Sequence, residues 1–345
     1  KIKLFNKGSI IDEFSKNLSP GGVKSSEEFI GRISDSIHFA TSMAKNATEK
    51  LPTKNERQLE AINIFIAGRP EKHGENSYII NRIRNIRSID TRESLANIDF
   101  TNLGNTFNSK VYVFNDMIGA ACAGLQKQPF EDNSAMFITT GGGFGVSHIK
   151  KVKLDGQDFL QITESRDGRQ LLDGQPLEEY GASVPALIKN FLSKLNVSDK
   201  TVKELVAIGD ARIARNENPE LIKKYNLPIS LEGAKFAINR YIDAVAQAIR
   251  LKLPEGLDTV LMSGKLISGI NDFLIHNSRL FEKQHTNLER VIQERVSSPV
   301  KVHIISGIKD NCDGAVFLEN KVTKTKMNQE RGLPVMSLYV KTSHC

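Results

Sequence analysis

The first third of the chain alternates between short apolar runs and one long periodic segment. Ile2 to Ile11 predict two strands joined by a turn at Asn6 to Gly8. After Ser25, which precedes Glu28 with the spacing of a capping box, apolar residues recur at helical intervals and predict a helix. The run 61–68 is short, rich in isoleucine and ends in glycine, which is typical of a buried strand. This order of strand, helix and strand predicts an α/β layer structure.

The remainder of the chain repeats a unit of strand, glycine turn and helix. Beyond Gly145 the apolar residues alternate, and Asp155-Gly156 predicts a hairpin turn before a strand at 159–162. Helical periodicity follows over 185–195 and 238–249. Two further strands, 258–262 and 302–305, run into glycines and are followed by helices predicted to begin near Asn271 and Asp313.

Length and composition favour a two-domain soluble protein. The 345 residues are 39% hydrophobic and 25% charged, and two cores are expected at this length. We expect an N-terminal α/β domain over 1–120, a C-terminal α/β domain over 121–320 and an extension over 321–345, with the boundary near 119–128. No apolar run approaches the roughly 20 residues that span a bilayer, so no membrane contact is predicted. Without a secretory signal, the default location is cytoplasmic.

The cysteines and the charge exclude some kinds of site. Cys122, Cys312 and Cys345 are scattered, so the sequence predicts neither a disulfide framework nor a Cys-x-x-Cys metal pair, and no metal ligand is assigned. The net charge of +7 suits anionic ligands such as nucleotides. Because Lys and Arg are spread along the chain and not clustered with aromatic residues, nucleic acid is not expected as a partner.

Two segments have the residue types that phosphoryl transfer needs. Asn115 and Asp116 end an apolar strand at 111–114, where a carboxylate could accept a proton from a substrate hydroxyl. The strand at 136–139 opens into the glycine-rich segment 139–145, whose backbone N–H groups could bind an anion. Each segment also has a plain structural interpretation: a turn or helix cap for the first, and a hairpin turn built on positive φ angles for the second.

In this order the elements resemble the ROK family of sugar kinases and sugar-responsive repressors. That family has a duplicated, ribonuclease H-like α/β fold of the actin-like and hexokinase-like class, with two domains and an interdomain cleft. The segment 113–121, Val-Phe-Asn-Asp-Met-Ile-Gly-Ala-Ala, is similar to the family's Glu-Asn-Asp-Ala-Asn-Ala-Ala segment, whose aspartate is the general base for the sugar hydroxyl. The resemblance implies that Asp116 is this base and that Asn115 binds the sugar.

Further segments extend the resemblance over nearly the whole chain. The glycine-rich segment 139–145 is similar to the family's second phosphate loop, and 177–187 resembles a segment whose glutamate, here Glu178, holds sugar hydroxyls. Gly209-Asp210, the segment 262–265 and the segment 311–315 also resemble family motifs, the second at the adenosine site. The resemblance therefore implies nucleotide binding by Thr140, Gly141, Gly142, Gly143, Gly145, Gly264 and Lys265.

The chain also departs from the family pattern. Residues 164–167 correspond to Glu-Ile-Gly-His, which keeps the glutamate, Glu164, as an implied sugar ligand and loses the histidine. The family's zinc-binding cysteine cluster is replaced by Gln170 to Pro176. Histidine and cysteines ligate zinc together in many members, so a zinc-free form would lack all of them. The first phosphate loop, Asp-x-Gly-Gly-Thr, is expected upstream of Lys1 in a kinase and would be lacking in a pseudokinase.

The resemblance implies an ATP- and Mg²⁺-dependent kinase acting on the primary hydroxyl of a hexose or N-acetylhexosamine, and it favours a homodimer. The alternative is a non-catalytic sugar-binding pseudokinase or sugar-responsive regulator of the same family. A ribokinase-type kinase ranks last, because its Asp-Thr-x-Gly-Ala-Gly-Asp motif matches Asn311 to Ala315 poorly. A repressor would also need a DNA-reading head, and we expect none here.

Overall fold

The computed structural model divides the chain into two compact units. The first consists of Lys1–Lys127, Val152–Glu164 and Lys309–Cys345, and the second of Gln128–Lys151 and Ser165–Ile308. The structure describes residues 2–6, 9–14, 23–47, 61–73, 77–88, 90–91, 93–128, 131–165, 167–281, 287–308, 313–318, 321, 323–330 and 333–342.

Both halves of the chain contain strands and helices. The first half contains β1 (Ile2–Asn6), β2 (Ser9–Phe14), α1 (Ser26–Ala47), β3 (Ala61–Ile66), β4 (Pro70–Lys72), β5 (Tyr78–Arg87), β6 (Ser94–Asp99), α2 (Thr101–Phe107), β7 (Lys110–Asn115), α3 (Asp116–Lys127), β8 (Ser134–Thr140), β9 (Phe144–Leu154) and β10 (Gln157–Ser165). The second half contains β11 (Leu171–Leu172), β12 (Gln175–Pro176), α4 (Leu177–Tyr180), α5 (Val184–Leu192), α6 (Asp199–Ile208), α7 (Pro219–Lys224), α8 (Leu231–Arg250), β13 (Thr259–Ser263), α9 (Lys265–His276), α10 (Leu288–Val296), β14 (Lys301–Ile304), α11 (Gly314–Leu318), β15 (Thr323–Glu330) and β16 (Leu333–Lys341). Among the helices of the described residues, none combines the length and the apolar character needed to cross a bilayer.

The first unit contains several groups of paired strands. β3 and β7 run parallel, with Ile66 opposite Asn115, so both strands end at the same edge. β4, β5 and β6 form an antiparallel sheet, and β10, β16 and β15 pair antiparallel in that order. The helix α11 packs closely on α3, because a Cβ atom at Gly314 would collide with the carbonyl oxygen of Gly119. Close packing of the two helices is thus a structural reason for glycine at position 314, which belongs to the segment that resembles a family motif.

The second unit contains three parallel strands and one antiparallel strand beside them. β14, β13 and β8 are parallel neighbours, and β9 returns antiparallel to β8. The long helix α8 is capped by Ser230, whose hydroxyl accepts a hydrogen bond from the N–H of Gly233 at 3.0 Å. It packs on α5 and α10 and buries a stripe of apolar side chains at helical spacing. Fully buried members of this core include Ile138, Leu187, Ile242, Met262 and Ile267.

Most elements predicted from periodicity are confirmed, including the hairpin of β1 and β2 and the strand β3. The capping prediction for α1 is also confirmed, since the Ser25 hydroxyl accepts from the Glu28 N–H at 3.2 Å. The predicted start of α9 near Asn271 is wrong, because the helix begins at Lys265. Inside this helix, a Cβ at Gly269 would lie 2.8 Å from the guanidinium of buried Arg215, so the two residues are closely packed.

The compact units do not follow consecutive stretches of sequence. The sequence predicts divisions at 120/121 and 320/321, whereas the chain enters the second unit after Lys127 and rejoins the first at 152–164 and 309–345. The predicted extension contains β15 and β16. Leu338 of β16 pairs with Ile162 of β10, and both are fully buried. The division into units therefore follows strand pairing between distant segments.

Candidate functional site

The junction of β7 and α3 holds Asn115 in place. The side chain of Asn115 is buried, and its Nδ2 donates to the carbonyl oxygen of Gly68 at 2.8 Å. Its Oδ1 accepts from the backbone N–H of Met117, also at 2.8 Å. The amide thus ties the start of α3 to the chain that follows β3, as the capping interpretation expects.

Asp116, the first residue of α3, is half-buried. Burial raises the pKa of this carboxyl above its ordinary value, and hydrogen bonds from the N–H groups of Met117 and of Asp116 itself offset only part of the increase. No described residue forms a salt bridge with it. A carboxylate of raised pKa binds a proton more readily, which is the property that a general base requires.

Glu164 pairs with a residue that the sequence prediction missed. Arg69 Nε donates to Glu164 Oε1 at 3.2 Å, and the two side chains are only 30% and 14% exposed. The Nη1 atom of Arg69 is buried and has no hydrogen-bond acceptor among the described residues. Arg69 follows Gly68, whose carbonyl binds Asn115. The position of Arg69 just after a predicted strand could have indicated it as a site residue. β3 and β7 end at the same edge, and polar residues just after such strand ends often bind ligands.

The glycine-rich segment of the second unit forms the hairpin turn between β8 and β9. The N–H of Gly141 donates to the carbonyl of Gly143 at 2.9 Å. The predicted hairpin turn is therefore present. Its glycines do not have the positive φ angles that the prediction assumed, since none of Gly141, Gly142, Gly143 and Gly145 has one. A Cβ at Gly141 or Gly142 would meet no atom within 4 Å. Backbone strain and packing therefore do not explain these two glycines, whereas close approach of an anion to the backbone would.

Glu178 lies directly beside this turn. A Cβ at Gly143 would lie 3.1 Å from Glu178 Oε1. Two hydrogen bonds hold the arrangement: the Ser183 hydroxyl donates to the carbonyl of Glu178 at 2.8 Å, and the Val184 N–H donates to the carbonyl of Gly141 at 2.8 Å. Within the second unit, the structure thus brings the predicted sugar ligand and the predicted phosphate turn together.

Gly264 joins the same group of residues, whereas the Thr140 side chain points away from it. Gly264 has φ +132° between β13 and α9, and a Cβ there would lie 3.2 Å from Thr139 Oγ1. Lys265 is exposed at the start of α9. The Thr140 hydroxyl is buried and lies 3.3 Å from the hydroxyl of Tyr241, whose pKa is raised by burial. Only the backbone of Thr140 is therefore placed to meet a phosphate.

The predicted residues form two groups, one in each unit. Asn115, Asp116 and Glu164 belong to the first unit, with Arg69 bonded to Glu164, and the glycine turn, Glu178 and Gly264 belong to the second. Arg166, Asn311, Cys312 and Cys345 lie outside the described residues, while Cys122 is a buried free thiol in α3.

No protein-family model and no curated protein sequence matches the chain. Solved structures match it over most of its length. A glucokinase from Balamuthia mandrillaris in complex with glucose is 13% identical, with a TM-score of 0.55 over 86% of this chain and 84% of that one. A ROK hexokinase from Thermus thermophilus is 12% identical, with a TM-score of 0.54 over 91% and 92%. A ROK family glucokinase from Streptomyces griseus in complex with glucose and AMPPNP is 14% identical, with a TM-score of 0.53 over 91% and 93%.

At these identities the likeness concerns the fold and not the activity. The mixed α/β architecture of the described residues agrees with it. The predicted fold class is confirmed: the chain has the hexokinase-like α/β fold of the ROK sugar kinases.

Proposed function

We propose that the protein is an ATP-dependent sugar kinase that transfers the γ-phosphate to the primary hydroxyl of a hexose or N-acetylhexosamine. The observation that carries the proposal is the Asp116 carboxyl, half-buried at the start of α3 and with a raised pKa. The fold supports it, because the three compared structures are described as two glucokinases and a hexokinase, one of them in complex with glucose and AMPPNP.

In this proposal Asp116 is the general base. Its carboxylate accepts the proton of the sugar hydroxyl while the hydroxyl oxygen attacks the γ-phosphorus, and the bond from that phosphorus to the leaving ADP oxygen breaks. Asn115 positions the start of α3 through its bonds to Gly68 and Met117. Glu164 and Glu178 accept hydrogen bonds from other sugar hydroxyls, and Arg69 orients Glu164.

The nucleotide phosphates are assigned to the second unit. The N–H groups of Gly141, Gly142 and Gly143 suit a phosphate because no side chain blocks approach to the first two. Gly264 and Lys265, at the start of α9, would bind the rest of the nucleotide. Mg²⁺ bound with the nucleotide would offset negative charge on its phosphates.

The test measures sugar-dependent ADP release with a panel of hexoses and N-acetylhexosamines, in the wild type and in Asp116→Asn. We expect at least one sugar to stimulate ADP release in the wild type and not in the variant. Asp155→Asn is the matched control, because Asp155 is a highly exposed aspartate in a turn where asparagine tolerates the positive φ of 52°. A wild type that releases no ADP with any sugar, or an Asp116→Asn variant with full activity, would contradict the proposal.

A non-catalytic sugar-binding protein is the second candidate. The contact between Thr140 and Tyr241 favours it, because this hydroxyl is turned into the core and does not face a phosphate. A thermal-shift screen separates the two candidates: stabilisation by a sugar without sugar-dependent ADP release supports the non-catalytic protein. Size-exclusion chromatography with light scattering tests the homodimer that the resemblance favours.

A further inference from the structure

A buried group of charges surrounds Asp167, just after β10. The Asp167 side chain is 0% exposed, and its Oδ2 lies 2.8 Å from His148 Nε2. Its Oδ1 lies 3.9 Å from Nζ of Lys252, which is 9% exposed on its side chain. Lys252 also binds Glu255 at 2.9 Å, and Glu255 in turn lies 3.6 Å from exposed Lys150. We call Asp167, His148 and Lys252 the charge cluster.

This cluster stands where the resemblance to the ROK family implies a zinc ion. Asp167 occupies the position of the family's histidine, and Gln170 to Pro176 replace its cysteines. The residues present do not fit zinc: the segment 170–176 contains no cysteine, and the Lys252 ammonium, 3.9 Å from the Asp167 carboxylate, would repel a dication. Within the described part of the chain, no group of three His, Cys, Asp or Glu could hold a metal ion.

We propose that the charge cluster takes the place of the metal and positions Glu178 beside the glycine turn. The role of Glu178 as a sugar ligand rests on the proposed function, whereas the replacement of the metal does not. Asp167 and His148 join the segment 167–177 to β9, the strand that begins directly after Gly143.

Backbone contacts carry the position of Asp167 to Glu178. The Asp167 carbonyl accepts from the Gln170 N–H at 2.9 Å, and the Gln170 carbonyl accepts from the Leu177 N–H at 2.8 Å, which closes the loop immediately before Glu178. At the next residue after Asp167, a Cβ at Gly168 would lie 2.9 Å from the carbonyl oxygen of Phe144. The loop is therefore packed against the end of the turn as well as bonded to His148.

The charges explain why a carboxylate is tolerated in this place. Burial pushes the pKa of Asp167 upwards, but the hydrogen bond from His148 and the nearby Lys252 charge outweigh burial and leave the pKa below its ordinary value. Among the described residues, removal of the carboxylate charge would leave Glu255 as the remaining salt-bridge partner of the buried Lys252 ammonium, which is costly in a partly dehydrated site.

The first test concerns the metal. Metal analysis of the purified wild type should find no stoichiometric zinc, and 1,10-phenanthroline should leave the Tm unchanged. Asp167→Asn should lower the Tm by about 5–10 °C, and Asp167→Asn combined with Lys252→Met should recover part of the loss because no buried charge is then unpaired. Glu294→Gln, which breaks a surface pair with Arg290 in the same unit, is the control and should change the Tm by about 1 °C or less. One zinc per chain, with a fall in Tm on chelation, would overturn the replacement of the metal.

The second test concerns positioning, with glucose and N-acetylglucosamine as probes in isothermal titration below the Tm of each variant. For whichever sugar binds the wild type, the single variants Lys252→Met and Asp167→Asn should each weaken binding about tenfold. Adding Glu178→Gln to Asp167→Asn should weaken binding little further, because both changes act through the contact between Glu178 and the sugar. Unchanged sugar affinity in both single variants would overturn the positioning role. If no hexose or N-acetylhexosamine of the ADP-release panel binds the wild type either, the proposed function and the positioning role both fail, and the metal test still decides whether the charge cluster replaces the zinc.

Discussion

The surroundings of Asp116 and Asp167 show how one residue type serves two purposes. Each aspartate begins a helical turn just after a strand, and Asp167 is fully buried whereas Asp116 is half-buried. Burial raises the pKa of Asp116, which has no salt bridge to a described residue, whereas His148 and Lys252 outweigh burial and lower the pKa of Asp167. Burial alone therefore does not decide the chemistry of a carboxylate. A cationic partner makes it a structural anion, and the lack of one leaves it able to take a proton.

The largest expected effect is on kcat, which should fall strongly when Asp116 is replaced and little when Asp167 is replaced. Asp116→Asn should lower kcat by about 10²- to 10⁴-fold, because the amide cannot accept the hydroxyl proton. Asp167→Asn should change kcat at saturating sugar by less than about threefold, because Asp167 acts on binding through Glu178. A coupled ADP assay over a range of sugar concentrations measures both values. Equal losses of kcat in the two variants would break the distinction between them.

Sequence predicted Asp116 and not the partners of Asp167 for a physical reason. A carboxylate at the end of an apolar strand is visible in one stretch of sequence, and so is a glycine turn between two strands. His148 and Lys252 are separated from Asp167 by many residues, and only tertiary structure brings them together. The same holds for Arg69 and Glu164, and for the pairing of β10 with β16. Local periodicity thus predicts elements and strand-end chemistry, while long-range pairs need the fold.

The second effect concerns stability at different pH values. A carboxyl whose folded pKa is lowered contributes stability above its unfolded pKa, about 3.9 for aspartate, and loses it as the pH falls through the folded value. The Tm difference between wild type and Asp167→Asn should therefore be large at pH 7 and shrink below about pH 4. Thermal unfolding at a series of pH values measures it. A difference that is constant over this range would show that the carboxylate charge is not what stabilises the loop.

Glu164 could resemble either Asp116 or Asp167, and a substitution of its partner Arg69 can decide between them. Arg69→Gln removes the cation 3.2 Å from Glu164 and should weaken sugar binding roughly tenfold, because Glu164 then loses its orientation. Arg69→Lys keeps the charge but not the planar fork, so we expect it to restore only part of the affinity. Arg290→Gln, at an exposed helix pair, is the control.

The two readouts of Arg69→Gln decide which aspartate Glu164 resembles. A loss of sugar affinity with little change in Tm places Glu164 with Asp116, as a residue held ready for a ligand. A loss of Tm with unchanged affinity places it with Asp167 as a structural anion and removes it from the proposed sugar ligands. Titration calorimetry and thermal unfolding on the same preparations provide both numbers.

The smallest effect is an inverse pH dependence at Asp116. Because its folded pKa is raised, its contribution to stability is present below the unfolded pKa and is lost as the pH rises through the folded value. Asp116→Asn should therefore be more stable than the wild type at pH 7, by about 1 kcal/mol or some 2–4 °C in Tm, and similar to it near pH 3. The inactive variant would then be the more stable one, as expected where a site keeps an unpaired carboxylate for chemistry. A variant that is less stable than the wild type at pH 7 would show that the Asp116 carboxylate has a stabilising partner, and would place it with Asp167 as a structural anion.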